Sequence, residues 1–321
     1  MVVAGLPLDL QLNVDVPAGN FADVAFDWLD GVSQRLAAEH RKELASLPAR
    51  VAANKADPHG SLGETALLYG TVEVSRERVD APAKATERIC SDAGLRWLKE
   101  ELQDFPSSVD LEIGQLDEAG FRSGWSLFLT VRRAAQSPNW LRLHAVVDED
   151  RFNDRVAGPG LQREWLDVMW SYADRLDPGF GQVAYAYSTS GQTALEDRLR
   201  PQEYEREYRE PEYTVNECRK FLRGYSWLTI VPKELVSKVG GLDGLRQSKA
   251  FEEVEELSGG GVWLLATADY RDYAGPVVEE VFRVLAPALR PGTPRPVVRY
   301  YPGERPHPLV FEDAASVAPR G

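Results

Sequence analysis

The run DEDRFND, residues 148–154, places Asp148, Asp150 and Asp154 in one short segment directly after an apolar stretch. Carboxylates spaced this way can converge on a hard divalent cation and activate water, the chemistry of a metal-assisted hydrolase. The same residues also begin helices and fill solvated turns. The run lacks the glycine and glutamate spacing of an EF-hand. The primary expectation is no metal, no cofactor and no catalytic group; the alternatives are a hydrolase built on Asp148–Asp154 and a non-catalytic scaffold or sensor with the same fold.

Other candidates for chemistry are weaker. GFGQVA, Gly179 to Ala184, fits the letters of a dinucleotide fingerprint, but a helical pattern precedes it and a strand pattern follows. A pyrophosphate needs the reverse order, so that it meets a helix N-terminus. SGGG at 258–261 has no following Lys-Ser or Lys-Thr and reads as a hairpin turn. There is no GxSxG and no HExxH, and His40, His59, His144 and His307 are scattered. The strand pattern around His144 predicts a surface or edge histidine rather than a catalytic one.

Two segments suit recognition better than catalysis. PQEYEREYREPEY, residues 201–213, interleaves glutamates with tyrosines. Tyr204 and Tyr208 are four apart and share a face if the segment is helical. Tyrosine is enriched in interface cores, and the surrounding Glu203, Glu205 and Glu207 suit a basic partner. The alternative is that the tyrosines dock this connector onto its own domain. The loop Asp269, Tyr270, Asp272 and Tyr273 repeats the same acid-and-tyrosine chemistry.

Composition is consistent with a binding protein. The chain has 321 residues, 43% hydrophobic and 27% charged, with a net charge of -13. That charge argues against nucleic acid as a ligand, because a phosphate backbone demands clustered Lys and Arg. It can steer a basic protein toward the surface, or simply keep the protein soluble. Cys90 and Cys218 are far apart, so neither a zinc site nor a disulfide framework is expected. The first residues read as a strand rather than a targeting segment, and no run reaches the roughly 18 apolar residues of a membrane span. A cytoplasmic protein that binds no membrane is expected.

The elements that must position these residues follow from apolar spacing. Leu8, Leu10, Leu12, Val14 and Val16 alternate as a half-buried strand. Helices are expected over 21–45, 83–103, 160–176 and 276–289, and an exposed loop over 48–64. Strands are expected over 66–74, 109–116, 124–133 and 139–147, the last three as an antiparallel meander. In RGYSWLTIVPKELVSKVGG, residues 223–241, a strand leads to Pro232 at a helix start and a glycine pair at its stop. Two strands joined by SGGG and a final helix then complete a β-α-β-β-α unit. The fold class is α+β, a largely antiparallel sheet with helices layered on one side. The expected organisation is an N-terminal lobe over 1–190, an acidic connector over 191–221, a C-terminal lobe over 222–303 and a proline-rich tail over 304–321. The two lobes forming one composite domain is the alternative.

The stretch GYSWLTIVPKELVSKVGGLDGLRQSKAFEEVEELSGGGVWLLATADY, with the helix ending LAPALRPG, resembles a bacterial family of immunity proteins linked to type VI secretion and polymorphic toxins. The features that carry the resemblance are Trp227 to Ile230, Gly240 to Leu242, Gly259 to Gly261 and Leu285 to Leu289, with LDPGFGQVAYAYS as a helix-turn-strand. ATADYRDYAGP, 266–276, departs from the family pattern. The resemblance implies protection: a protein that binds a cognate toxin and blocks it, with no catalytic group of its own.

Overall fold

A computed structural model describes residues 6–46, 61, 67–78, 81–186, 193–199, 212–296 and 309–317. The chain divides into two compact units, one made of Met1–Asp15 with Asp148–Gly321 and the other of Val16–Val147. The predicted loop over 48–64 lies almost wholly outside the described residues.

The chain begins with strand β1 (Pro7–Asp15), which belongs to the first unit. The second unit then opens with helices α1 (Phe21–Leu36) and α2 (Ala38–Ser46), a break at Ala37 dividing the single helix that the spacing predicts. Strands β2 (Leu68–Arg78) and β3 (Ala81–Ile89) follow, then α3 (Asp92–Glu101), β4 (Ser108–Leu116), β5 (Arg122–Ala134) and β6 (Ser137–Asp148). The strand order here is β3-β2-β4-β5-β6, antiparallel throughout, with the predicted meander as its second half.

Two expectations fail in this unit. The helix predicted over 83–103 is a strand followed by a shorter helix. Residues 81–89 pair with β2, and helix begins only at Asp92, where Ser91 Oγ caps it by accepting from Gly94 N at 3.2 Å. β3 borders only β2, so its charged Lys84 and Glu87 suit an edge strand and mask the strand pattern. His144 is not a surface histidine but buried. Thr130 stands opposite it on β5, and Trp28 Nε1 of α1 donates to its carbonyl at 3.3 Å.

The first unit resumes with α4 (Glu149–Phe152), α5 (Gly158–Leu176) and β7 (Phe180–Tyr185). Then come α6 (Ala194–Leu199), α7 (Glu212–Val215), β8 (Leu228–Val231), α8 (Lys233–Val236), α9 (Gly241–Ser248), β9 (Glu253–Glu256), β10 (Val262–Leu265) and α10 (Pro276–Leu285). The strand order is β1-β7-β8-β10-β9, again antiparallel. From β8 onward the predicted β-α-β-β-α order is present, with two short helices in place of one. Gly240 takes φ 88° at the junction, a left-handed turn that ends one helical segment and starts the next. The fingerprint-like GFGQVA enters β7 directly. A Cβ on Gly181 would come within 2.5 Å of Ile230 and 2.8 Å of Leu12, so this glycine serves packing.

β1 is buried on both faces rather than half-buried. Leu8, Leu10, Leu12 and Val14 form one side, and Asp9, Gln11 and Asn13 the other. The polar row continues through Gln182 on β7 and Thr229 on β8, which stand in register with Gln11. Such a row is stable only if its groups are hydrogen-bonded. Part of that requirement is met by Arg223, whose side chain is 1% exposed and pairs with Glu196, 5% exposed, at 3.0 Å. Nε and one terminal nitrogen of Arg223 meet the two carboxylate oxygens at 3.0 Å each, and its other terminal nitrogen bonds Asn13 Oδ1. Thr193 and Glu196 form a reciprocal cap: Glu196 N donates to Thr193 Oγ1 at 3.2 Å, and Thr193 N donates to Glu196 Oε2 at 3.1 Å. Both cysteines are buried and unbridged; burial pushes the Cys90 thiol up to about 11 and the Cys218 thiol up to about 12.

Glu196→Ala leaves the Arg223 guanidinium buried without its counter-ion and is expected to cost about 3–5 kcal/mol in urea unfolding. The double variant Arg223→Met/Glu196→Leu removes both charges and is expected to lose much less. Equal losses in the two would show that the pairing is not what matters.

Candidate functional site

A cleft of about 920 Å³ opens in the first unit. Its floor is built from the start of α4. Asp148 Oδ1 accepts from Asp150 N at 2.9 Å and caps that helix, while Glu149 N donates to the Leu6 carbonyl at 3.0 Å. Glu149 is thereby turned inward and buried. Its Oε1 accepts from Tyr185 Oη at 2.8 Å and from Asn153 Nδ2 at 3.2 Å. Tyr270 in turn hydrogen-bonds Tyr185, and burial first, then these neighbours, drives the Tyr270 phenol well above its ordinary pKa.

The walls depend on an aromatic cluster. Phe152 packs edge-on against Trp165, Trp227 and Tyr270, with ring centroids 6.3, 6.2 and 6.2 Å away. Trp227 and Tyr270 meet at 5.4 Å and nearly at right angles, a favoured quadrupole geometry. Gln162 of α5 ties the cluster to the loop after β10. It donates to the Phe152 carbonyl at 2.7 Å and to Asp269 Oδ1 at 3.3 Å, and it accepts from Tyr270 N at 2.9 Å. The far rim is the segment 309–312, held where Val310 N donates to Tyr225 Oη at 2.8 Å.

The predicted recognition loop lies at this cleft. Tyr270 and Tyr273 line it with their rings buried, and burial raises the Tyr273 phenol. Asp272 is exposed. Asp269 holds Arg271, with Nε to Oδ1 at 2.9 Å and a terminal nitrogen to Oδ2 at 2.5 Å. That guanidinium, with burial opposing it, brings the Asp269 pKa down to about 2. Glu203, Tyr204, Glu205, Glu207 and Tyr208 lie outside the described residues.

The acidic run does not assemble as a metal site. Asp148 is spent on its helix cap, and Asp154 Oδ1 accepts from Val156 N and Ala157 N at 2.8 and 2.7 Å. Those two bonds hold the Asp154 carboxyl low. Among the described residues no group of three or more His, Cys, Asp or Glu is placed to hold a metal ion. The residues of this run that line the cleft are Glu149 and Asn153, which stand between the aspartates that drew attention. Gln162, also missed, falls on the same helical stripe as Trp165, Leu166 and Met169. A lone polar residue on such a stripe is the signal that it makes a buried bond.

Residues 159–293 match the family described as "TsiV: Type VI immunity for VRR-NUC". The resemblance seen in the sequence thus has independent support over this segment. Among solved structures, the "Pseudomonas aeruginosa T6SS protein PA0821" shares the fold, with TM-score 0.51 at 15% identity over 89% of this chain and 79% of that one. No curated protein matches. The family match includes Tyr185 and the loop 269–273, whereas Glu149 and the 309–312 rim lie outside it.

Arg271→Ala is expected to return the Asp269 pKa from about 2 toward the ordinary carboxylate value near ~3.9, read by carbon-13 NMR titration. A carboxylate held low in the folded state stabilises it above the unfolded pKa and loses that contribution as pH falls through the folded value. The Asp269 contribution is therefore complete at neutral pH and fades from about pH 4 downward. An unchanged Asp269 titration would show that Arg271 is not the cause.

Proposed function

Proceeding from the match of residues 159–293 to type VI immunity proteins, we propose that this chain neutralises a cognate VRR-NUC-type toxin by direct stoichiometric contact. The family match is the observation that carries the reading. A nuclease must present positive charge to a phosphate backbone, and this chain has a net charge of -13, so the two surfaces are complementary in sign. The contact needs no catalytic group in the immunity protein; covering the substrate path over roughly 800 Å² per partner suffices.

The proposed contact surface is the rim of the cleft at Asp269, Tyr270, Asp272 and Tyr273, together with the connector residues Glu203, Tyr204, Glu205, Glu207 and Tyr208. On the rim, Asp272 supplies exposed charge, while the buried tyrosines shape the cleft beneath it. Among the described residues no helix is long and apolar enough to cross a membrane. We place the action in the cytoplasm, where a nuclease meets its substrate.

Charge reversal at Glu203, Glu205 and Glu207 together is expected to weaken toxin binding at least ~10-fold at low salt and to flatten its salt dependence. Calorimetric titration of the wild type and the triple variant against the toxin nuclease domain reads both effects. Equal affinities at low salt would remove the connector from the contact surface.

A further inference from the structure

One patch of the first unit runs against the acidity of the chain. Three cations gather on the half-buried ring of Phe221: Lys220 Nζ, Lys238 Nζ and the Arg290 guanidinium carbon lie 5.4, 5.5 and 5.0 Å from its centroid. A ring has two faces, so at least two of the three share one. The cations come from separate segments that the fold holds together. Leu222 N donates to the Ala288 carbonyl at 2.8 Å and Leu222 bridges Leu289, which sets Arg290 beside Phe221. Lys238, in the turn Ser237–Val239, donates to the Lys220 carbonyl at 3.0 Å. Among the described residues the carboxylate that answers these cations is Glu217, which meets Arg290 and stands 4.0 Å from Lys220 Nζ. Three positive groups and one negative group leave a surplus of two positive charges. The neighbouring Arg219 and Lys233 are matched by Glu234 and Asp177 at 3.0 and 3.1 Å and leave that surplus unchanged. Lys220 and Lys238 are both exposed. Like charges gathered this closely repel, and an anion placed among them relieves the repulsion. The net charge of -13 does not cancel the patch, because charges beyond a Debye length of about 8 Å are screened at physiological salt.

We propose that Lys220, Lys238 and Arg290 form a binding platform for a phosphate group, with Phe221 as its apolar base. Phosphate fits better than a carboxylate because its charge of about -1.5 to -2 at neutral pH matches the surplus, whereas one carboxylate leaves half of it unanswered. The two ammonium groups serve as rotatable point charges, and the planar Arg290 fork can meet two phosphate oxygens at once. Inorganic phosphate and the phosphate of a nucleotide share this chemistry. The site is separate from the cleft and does not rest on the toxin-binding reading.

The test titrates the full chain with inorganic phosphate at constant ionic strength, balanced with chloride, and follows nitrogen-15 NMR shifts. Saturable shifts at Phe221 and its neighbours are expected for phosphate and for sulfate, with much weaker binding of acetate. Lys220→Gln and Lys238→Gln, both at exposed positions, are each expected to weaken phosphate about tenfold, the scale of one charge-assisted bond. Glu217→Gln removes the competing carboxylate and is expected to tighten phosphate, a sign that damage to the fold would not produce. Lys84→Gln, exposed on β3 of the other unit, is expected to change nothing. Adenosine monophosphate forms the second arm. Binding equal to that of phosphate assigns the platform to the phosphate group alone, and tighter binding that Phe221→Leu abolishes assigns it to a nucleotide. No saturable shift, equal loss in Lys84→Gln, or weaker binding in Glu217→Gln overturns the assignment. A hexaglutamate peptide binding more tightly than phosphate would also overturn it, by giving the platform to the carboxylates of a protein partner.

Discussion

The first unit is organised around one guanidinium that has no access to water. Arg223 must be solvated by protein groups, and those groups come from distant parts of the chain: Asn13 on β1, Glu196 on α6 and Thr214 on α7. Burying an ion is expensive unless its partners are complete, so the arrangement tolerates little variation in how these segments meet. Thr193 adds a lock by donating to the Arg223 carbonyl at 2.5 Å, which fixes the backbone leading into β8. Residues near both ends of the acidic connector, Thr193, Glu196 and Thr214, are thus tied through Arg223 to β1.

The geometry of the cleft descends from that anchor. Two and four residues beyond Arg223 stand Tyr225 and Trp227. Tyr225 holds the 309–312 rim through Val310, and Trp227 packs into the aromatic cluster while its indole donates to the Thr267 carbonyl at 2.9 Å. Gln162 then sets the loop 269–273 against α4, which turns Glu149 inward. A floor held this way has its polar atoms fixed by hydrogen bonds within the protein.

Much of the fold was legible because its signals are local. Pro232, Gly240 and the SGGG turn punctuate apolar runs, and the segment from β8 to α10 follows them closely. What was not legible depends on what covers a face. Alternation in β1 shows that leucines share a side, but it does not show that Asp9, Gln11 and Asn13 are buried as well. The edge strand β3 carries charge that reads as a helix surface. The site was half visible. Asp269 and its neighbours stand out by composition and lie at the cleft, whereas Glu149 hides in an acidic run whose Asp148 and Asp154 serve as helix and turn caps. Gln162 looked like an ordinary helix residue until its partners on α4 and the 269–273 loop were known.

The central claim is that this chain stops a toxin by occupying it. The most direct measurement is nuclease activity of a cognate VRR-NUC-type toxin domain, at a concentration well above the dissociation constant, as this protein is added. The account predicts a linear fall that reaches zero at one equivalent, with the toxin recovered intact when the complex is dissociated by high salt. Full nuclease activity at excess immunity protein, or a toxin inactivated by substoichiometric amounts, would contradict it.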